Sequence, residues 1–535
     1  MKITTCILVA ITLLVLTALA VQARERPLTA PRNPFAADST QSMPHGDSSQ
    51  QDTTAVPGPL DESRKLRDDE ILYRHLGPGY IGGFTSSPYA DGSRVLWTNG
   101  VNGLYKLNAE TLEIYDYIPS AAASSWTRDH AEDSIAALDE DNSLAALPLA
   151  IEDSKALQDL SGIYVAVGAN NWAYIADKDG SVTAYGDAIE GDPTSAIEIK
   201  ARFQMPPEAA GSTLGMNITY DGWIVLPTTD GWLVAVSMDL TGYRMIQLKN
   251  PTGESTETQR VGYGWVRNSL ALDEDGGIYI ASRNHMHKVV WDGDQFSTAE
   301  PDGAWISEYL NDLGGGTGST PSLMGFGGED QFVVITDGNE LMNVVLFWRN
   351  KIPEDWEQLP GAPSRRIAGM VPAKMGELDL QAVQTEQSVV VAGYGAFVVN
   401  NTPNNIPEGL PPNGHGLLVG ALGSNPMHQP FGVQKMEWDP ETRTFGPAWT
   451  NKKVSSPNGV PYVSLGTNQV YFIGARDNQW TLEALDWDSG ESTFHYVIGG
   501  QHFNSQYSSP IPDEYGGVMY GTTWGRARLV PRKLE

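Results

Sequence analysis

Two asparagines occupy matching places in the chain. Asn217 opens "NITYDGWIVLPTTDGWLVAV" and Asn268 opens "NSLALDEDGGIYIASRNHMHKVVW". Amide and carboxylate oxygens are the hard ligands that calcium takes. Asn217, Asn268 and Glu386 therefore make a candidate metal set, and the bound cation would polarise the carbonyl of a small ester or lactone for hydrolysis. His502, Tyr507 and Arg267 suggest other chemistry: a His or Tyr base removing a proton from a carbon beside a carboxylate that an arginine holds. His285 and His287 alternate around Met286, next to Asn284. On a strand they share one face, as zinc ligands or an acid and base, or simply as surface residues of a hairpin. Each asparagine has a plainer role too, satisfying main-chain groups where a turn enters a strand.

Positioning such groups requires elements that bring distant residues together. Units of similar texture begin at Phe84, Gly162, Asn217, Asn268, Ser319, Glu386, Ser456 and Ser508. Each holds several short apolar strands, and turns at Asp91-Gly92, Asp179-Gly180, Asp221-Gly222 and Asp275-Gly276 fit tight hairpins. Long repeats of this kind read as an all-β chain folded into a single β-propeller, with eight blades expected and seven as the alternative count. One blade cannot cover both of its faces, so neighbours must cover them and the ring must close. The last unit is short of strands, and "DDEILYRHLGPGYI" (Asp68–Ile81) can supply its outer one. Inner strands begin near the axis, which gathers Ser87, Asn217, Asn268, Thr320, Glu386, Asn458 and Tyr507 around one polar funnel.

The N-terminus has different grammar. "MKITTCILVAITLLVLTALAVQARE" reads as a secretory signal peptide over residues 1–23, cut after Ala20 or Ala23, with a retained membrane anchor as the alternative. Residues 24–67 are rich in Pro, Ser, Asp and Gln and poor in aromatics, and read as a disordered leader ahead of a propeller over 68–535. Cys6, the single cysteine among 535 residues, lies in the signal. The exported chain then has no disulfide and no thiolate chemistry. A net charge of −30 argues against nucleic acid as a partner, which needs a positive patch. No second apolar run is long enough to insert in a bilayer. The expectation is a secreted or periplasmic monomer that takes a small molecule or glycan in its funnel.

"RNSLALDEDGGIYIASRNHMHKVVWDG" resembles a blade of the gluconolactonase and paraoxonase type of propeller. That resemblance implies calcium held by asparagines at successive inner-strand starts, which Asn217 and Asn268 match, with Glu386 standing loosely for the family's Glu. The repeated region from Leu72 to Arg532 also resembles the quinoprotein alcohol dehydrogenase-like propellers. Their quinone, PQQ, is not expected here, because those enzymes carry a vicinal cysteine pair in the site. "GGGTGSTPSLMG" with "TEQSVVVAGYGAFVVNN" is similar to a group of exported bacterial propeller proteins of unassigned activity. Propeller polysaccharide lyases, finally, use the residue types of His502, Tyr507 and Arg267.

Other motifs narrow the field. "GGGTGST" (Gly314–Thr320) lacks the Lys-Ser/Thr ending of a phosphate loop and reads as a turn where backbones crowd near the axis. No G-x-S-x-G elbow is present, which argues against an ordinary serine esterase. His130 lies in an insertion between Ser120 and Ser161, a natural place for a lid, and His415 in a Gly-rich loop. Three functions stay open: a metal-assisted hydrolase, a non-catalytic propeller binding an envelope protein or glycan, and a polysaccharide lyase. Fold does not choose among them.

Overall fold

The computed structural model describes residues 29–123, 125–209, 211–249, 265–410 and 414–532. The signal peptide read over residues 1–23 lies outside the described residues. Among the described residues no helix is long and apolar enough to cross a membrane.

The apolar runs become strands buried on both faces. In Trp223–Pro227, Ile224 and Leu226 pack with Tyr174 and Val182 of the preceding sheet, while Val225 packs with Ile278 and Ile280 of the following one. Successive residues of a strand point to opposite faces. A strand covered on both sides therefore reads as an unbroken apolar run.

Among the described residues the strands form eight sheets. Their first strands are Phe84–Thr85, Val165–Val167, Asn217–Ile218, Ala271–Leu272, Ser322–Met324, Val390–Ala392, Tyr462–Ser464 and Ile511–Pro512. Each of the eight repeat starts read from the sequence lies at or just ahead of one of them. The main strands of each sheet pair antiparallel with their neighbours in chain order, and the Asp-Gly turns between them have left-handed glycines, Gly92 at φ 83° and Gly222 at φ 87° among them. Apolar clusters join each sheet to the next, from Trp97 with Ile175 to Leu482 with Tyr520. Met519 of the last sheet also packs with Leu96 and Leu107 of the first. The fold is a β-propeller.

Ile71–His75 pairs antiparallel with Gly525–Leu529, with Ile71 opposite Leu529 and His75 opposite Gly525. The segment ahead of the first blade thus supplies the outer strand of the last sheet. Sequentially remote ends of the repeat region meet in one ladder.

The disordered leader read over residues 24–67 requires correction, because residues 29–67 are ordered. The segment threads the inner edges of the sheets. Gln41 and Ser42 accept hydrogen bonds at their carbonyls from the N–H groups of Thr85 (2.8 Å) and Val167 (2.7 Å). Ser48, Ser49, Gln51 and Asp52 do the same for Leu272, Leu323, Val391 and Val463 at 2.7 to 3.0 Å. Asn33 Nδ2 donates to Ile218 O (2.7 Å), and the N–H of Thr40 to Glu514 Oε1 (2.7 Å), so all eight sheets are touched. Thr53–Thr54 and Arg64–Lys65 then add parallel edge strands to the seventh sheet. The composition misleads for a physical reason: apolar burial is not what orders this segment. Inner strands leave main-chain donors facing the axis, and buried donors need partners. A polar chain with few bulky side chains supplies them.

The insertion after the first blade is helical, with α1 over Arg128–Glu140 and α2 over Leu147–Ser154. Thr127 caps α1 by accepting the N–H of His130. A third helix, α3 over His415–Leu422, packs Leu418, Ala421 and Leu422 against Ala150 of α2.

Candidate functional site

The opening asparagines are joints between blades. Asn217 is fully buried; its Nδ2 donates to Ser48 O (2.9 Å) and Leu270 O (3.0 Å), and its Oδ1 accepts the N–H of Ile218 (2.8 Å). It ties its own sheet to the axial segment and to the entrance of the next sheet. Asn268 repeats the gesture one sheet on, donating from Nδ2 to Thr317 O at 2.9 Å. Further round, Gln387 Nε2 donates to Asn458 O (3.2 Å), and Asn458 Nδ2 to Asn504 Oδ1 (3.0 Å).

Glu386 has another partner. It forms an ion pair with Arg267, whose Nη1 also donates to Gly315 O and Gly316 O at 3.3 Å each. The three residues of the candidate calcium set therefore do not fit that ion. Calcium needs converging oxygens, whereas Asn217 turns its nitrogen toward two carbonyls and Glu386 faces a guanidinium. No catalytic step is derived through a metal. Asn217→Ala removes the donor to Leu270 O and one of the two donors to Ser48 O, which keeps the N–H of Leu272, and is expected to cost about 1–3 kcal/mol. Urea denaturation checks this, with the same loss in calcium and in chelator.

The glycine-rich turn crowds the axis as expected. Gly314 and Gly316 are left-handed, both at φ 73°, and a Cβ on Gly316 would lie 2.8 Å from Arg283 O. A Cβ on Gly318 would lie 3.2 Å from Glu386 Cβ, so the turn runs directly beside the Arg267–Glu386 pair.

The structure separates the candidate acid–base residues. His502 Nε2 lies 2.9 Å from Glu132 of α1, and its ring meets Tyr73 edge-on at 5.3 Å. It serves as a docking point for the insertion. Tyr507 instead lines a cavity of about 620 Å³ together with Glu386, Gln384, Asn401, Asn458 and His415. Glu386, on the same cavity wall as Tyr507, is the ion-pair partner of Arg267. His285 and His287 have ring centroids 6.3 Å apart on one strand; His287 is buried, with Nε2 2.8 Å from Ser282 Oγ. His130 Nε2 lies 2.9 Å from Asp153 and links α1 to the end of α2. Ser87 Oγ accepts the N–H of Asp38 at 2.9 Å, another tie to the axial segment.

Sequence reasoning missed three polar residues at the axis: His45, Asp52 and Ser388. The first two lie in the stretch read as disordered. Their one signal is the density of hydrogen-bonding side chains in "PHGDSSQQD".

Comparison with solved structures finds the same propeller fold in two quinohemoprotein alcohol dehydrogenases. A quinohemoprotein alcohol dehydrogenase of Pseudomonas putida superposes with a TM-score of 0.50 at 12% identity, over 94% of this chain and 81% of that one. The corresponding enzyme of Comamonas testosteroni gives 0.50 at 11%, over 95% and 82%. At such identities the likeness is one of fold. No family model matches the chain. An uncharacterized protein of Archaeoglobus fulgidus is 34% identical over 518 residues, covering 93% of this chain and 90% of its own length, and this chain belongs to its family.

Proposed function

We propose that the protein is an exported, eight-bladed propeller that binds a neutral, hydroxyl-rich ligand, a short glycan, in the cavity beside Tyr507. The blade count rests on the eight sheets and on the apolar cluster joining the last to the first. Export rests on the signal-like N-terminus.

One observation carries the ligand class. The cavity of about 620 Å³ combines an exposed aromatic ring, Tyr507 at 42%, with amides, hydroxyls and the carboxylate of Glu386. Its volume lies in the usual range for small-molecule sites. The ring can take the C–H face of a sugar, and the amides and Glu386 can take its hydroxyls. Leu313, Ile406, Leu417 and Val419 complete the wall. A hydrogen-bonding surface held in place by its own network needs little reordering on binding. Asn401, for example, donates to Ser456 O and Pro457 O at 2.9 Å each.

The same geometry weighs against acidic glycans and the lyase chemistry that uses them. Arg267 is already paired with Glu386, and the chain carries a net charge of −30. Calorimetric titration with neutral oligosaccharides is the test. Binding is expected, and Tyr507→Ala is expected to weaken it about tenfold, the equivalent of about 1.4 kcal/mol. Absence of binding across neutral panels, or tighter binding of uronates, would overturn the reading.

A further inference from the structure

The axial segment carries a second constellation, built on Ser388, the residue that follows Gln387 of the cavity wall. His45 Nδ1 lies 2.8 Å from Asp52 Oδ2, and His45 Nε2 lies 3.3 Å from Ser388 Oγ, at the entrance of the sixth sheet. Asp52 is fully buried, and its Oδ1 has no hydrogen-bond partner among the described residues. The carboxylate is thus aimed at the imidazole alone. An ionised Asp52 fixes the tautomer: Nδ1–H donates to the carboxylate, and the Nε2 lone pair faces the serine hydroxyl. The N–H of Thr320 donates to the same Oγ at 3.1 Å and holds it in place.

The local backbone is built for this arrangement. His45 and Asp52 both adopt left-handed conformations, φ 60° and 56°, which non-glycine residues seldom do. They are held there by the Asp52 N–H to His45 O bond (3.1 Å) and by Val463 N–H to Asp52 O (2.9 Å). Strain of this sort persists where surrounding contacts over-determine it, and it concentrates at functional sites. The order acid, imidazole, hydroxyl is recognised by geometry and role, whatever the chain order. No nucleophile elbow is needed, because here the axial segment delivers two members to a serine on a blade.

We infer that Ser388, His45 and Asp52 form a serine-nucleophile centre for acyl transfer from a small ester, assembled when the N-terminal segment is seated. Ser388 Oγ attacks the ester carbonyl carbon while its proton passes to His45 Nε2, and the carbonyl π electrons move to oxygen. The tetrahedral species collapses, the C–O bond to the alcohol breaks, and the leaving oxygen takes the proton from Nε2. Water then attacks the acyl-Ser388 ester, giving its proton to Nε2. Collapse expels Ser388 Oγ, which recovers that proton, and releases the carboxylic acid. Asp52 is a positioning residue. A side-chain exposure of 14% at His45, and the burial of Ser388, restrict the donor to small acyl groups.

The experiment uses the full secreted chain with p-nitrophenyl acetate and a small fluorophosphonate, the labelled residue being mapped by mass spectrometry. Label is expected on Ser388, and Ser388→Ala is expected to lower hydrolysis by about 10³-fold or more with the folded state intact. Asp52→Asn is expected to lower it comparably and to shift the acid limb of the pH–rate profile, which a purely structural role would leave in place. Ser388→Cys tests access independently: its thiol is expected to react with iodoacetamide, faster than in the same variant carrying His45→Gln. Hydrolysis that persists in Ser388→Ala, label on other residues only, or a Ser388→Cys thiol inert to iodoacetamide would each overturn the assignment.

Discussion

Removal of residues 29–54 is expected to leave a protein that no longer closes its ring. Thr85, Val167, Leu272, Leu323, Val391 and Val463 each lose a main-chain acceptor. At about 1 kcal/mol net for each bond, the loss is about 6 kcal/mol, a large share of the roughly 5–15 kcal/mol that holds typical domains folded. Asn217 loses Ser48 O in addition. The truncated chain should show loss of near-ultraviolet dichroism, a larger hydrodynamic radius and rapid proteolysis between blades. A synthetic peptide of residues 29–54 should restore the ring in proportion to its concentration, since a ligand of the native state alone stabilises by mass action. A truncated chain that melted like the full one would mean the inner strands find equal partners in water.

Glu70→Ala should unlock the opposite side of the same closure. Glu70 is fully buried and receives Arg64 through both oxygens, at 2.7 and 2.8 Å. The N–H groups of Arg67 (2.9 Å) and Arg532 (2.7 Å) donate to it as well. One carboxylate therefore binds the incoming segment to the last residues of the final sheet. Breaking a buried pair by removing one partner costs about 3–5 kcal/mol where the other charge is left alone; Arg64 keeps Asp61 at 3.2 Å, so the expected loss lies at the lower end of that range. Equilibrium urea denaturation measures it, and Glu70→Gln, which keeps the volume, should recover only part.

The pH dependence of that lock has a definite sign. The bond from Arg64, above all, holds the Glu70 carboxyl down to about 2, from an ordinary 4.5. A depressed folded pKa gives stability that is fully present above the unfolded value. It is lost as pH falls through the window from about 4.5 to about 2. A difference of that size corresponds to about 3 kcal/mol. Acid titration of the wild type should therefore show a loss of stability in that window that is about 3 kcal/mol smaller in Glu70→Gln, where carboxyls such as Asp61, also held below its ordinary value, still titrate.

Much of the architecture was legible in the chain because strand burial writes itself into local pattern. Runs such as "WIVLP" and "FVVIT", separated by Asp-Gly turns, carry the blade repeat in a few residues each. The outer strand from "EILYRH" could be placed because the last repeat lacked one. The candidate site was legible only in part. The sequence grouped Arg267 with His502 and Tyr507, and Glu386 with Asn217 and Asn268; the structure pairs Arg267 with Glu386, puts Glu386 and Tyr507 on one cavity, and uses the asparagines in hydrogen bonds between blades. A side-chain amide serves a cation or a carbonyl equally well. Which it meets depends on groups hundreds of residues away.

The amino-acid pattern by itself determined the all-β class, the repeat and the polar character of the strand starts, since hydrophobic period and turn chemistry act over a few neighbouring residues. Only the tertiary structure decided that a polar N-terminal segment fills the axis, that Asn217 faces Ser48, and that His45 meets Ser388. Those contacts follow from ring closure. Closing the ring turns eight separate strand edges into one lining, and that lining orders a segment whose own composition has too little apolar surface to order itself.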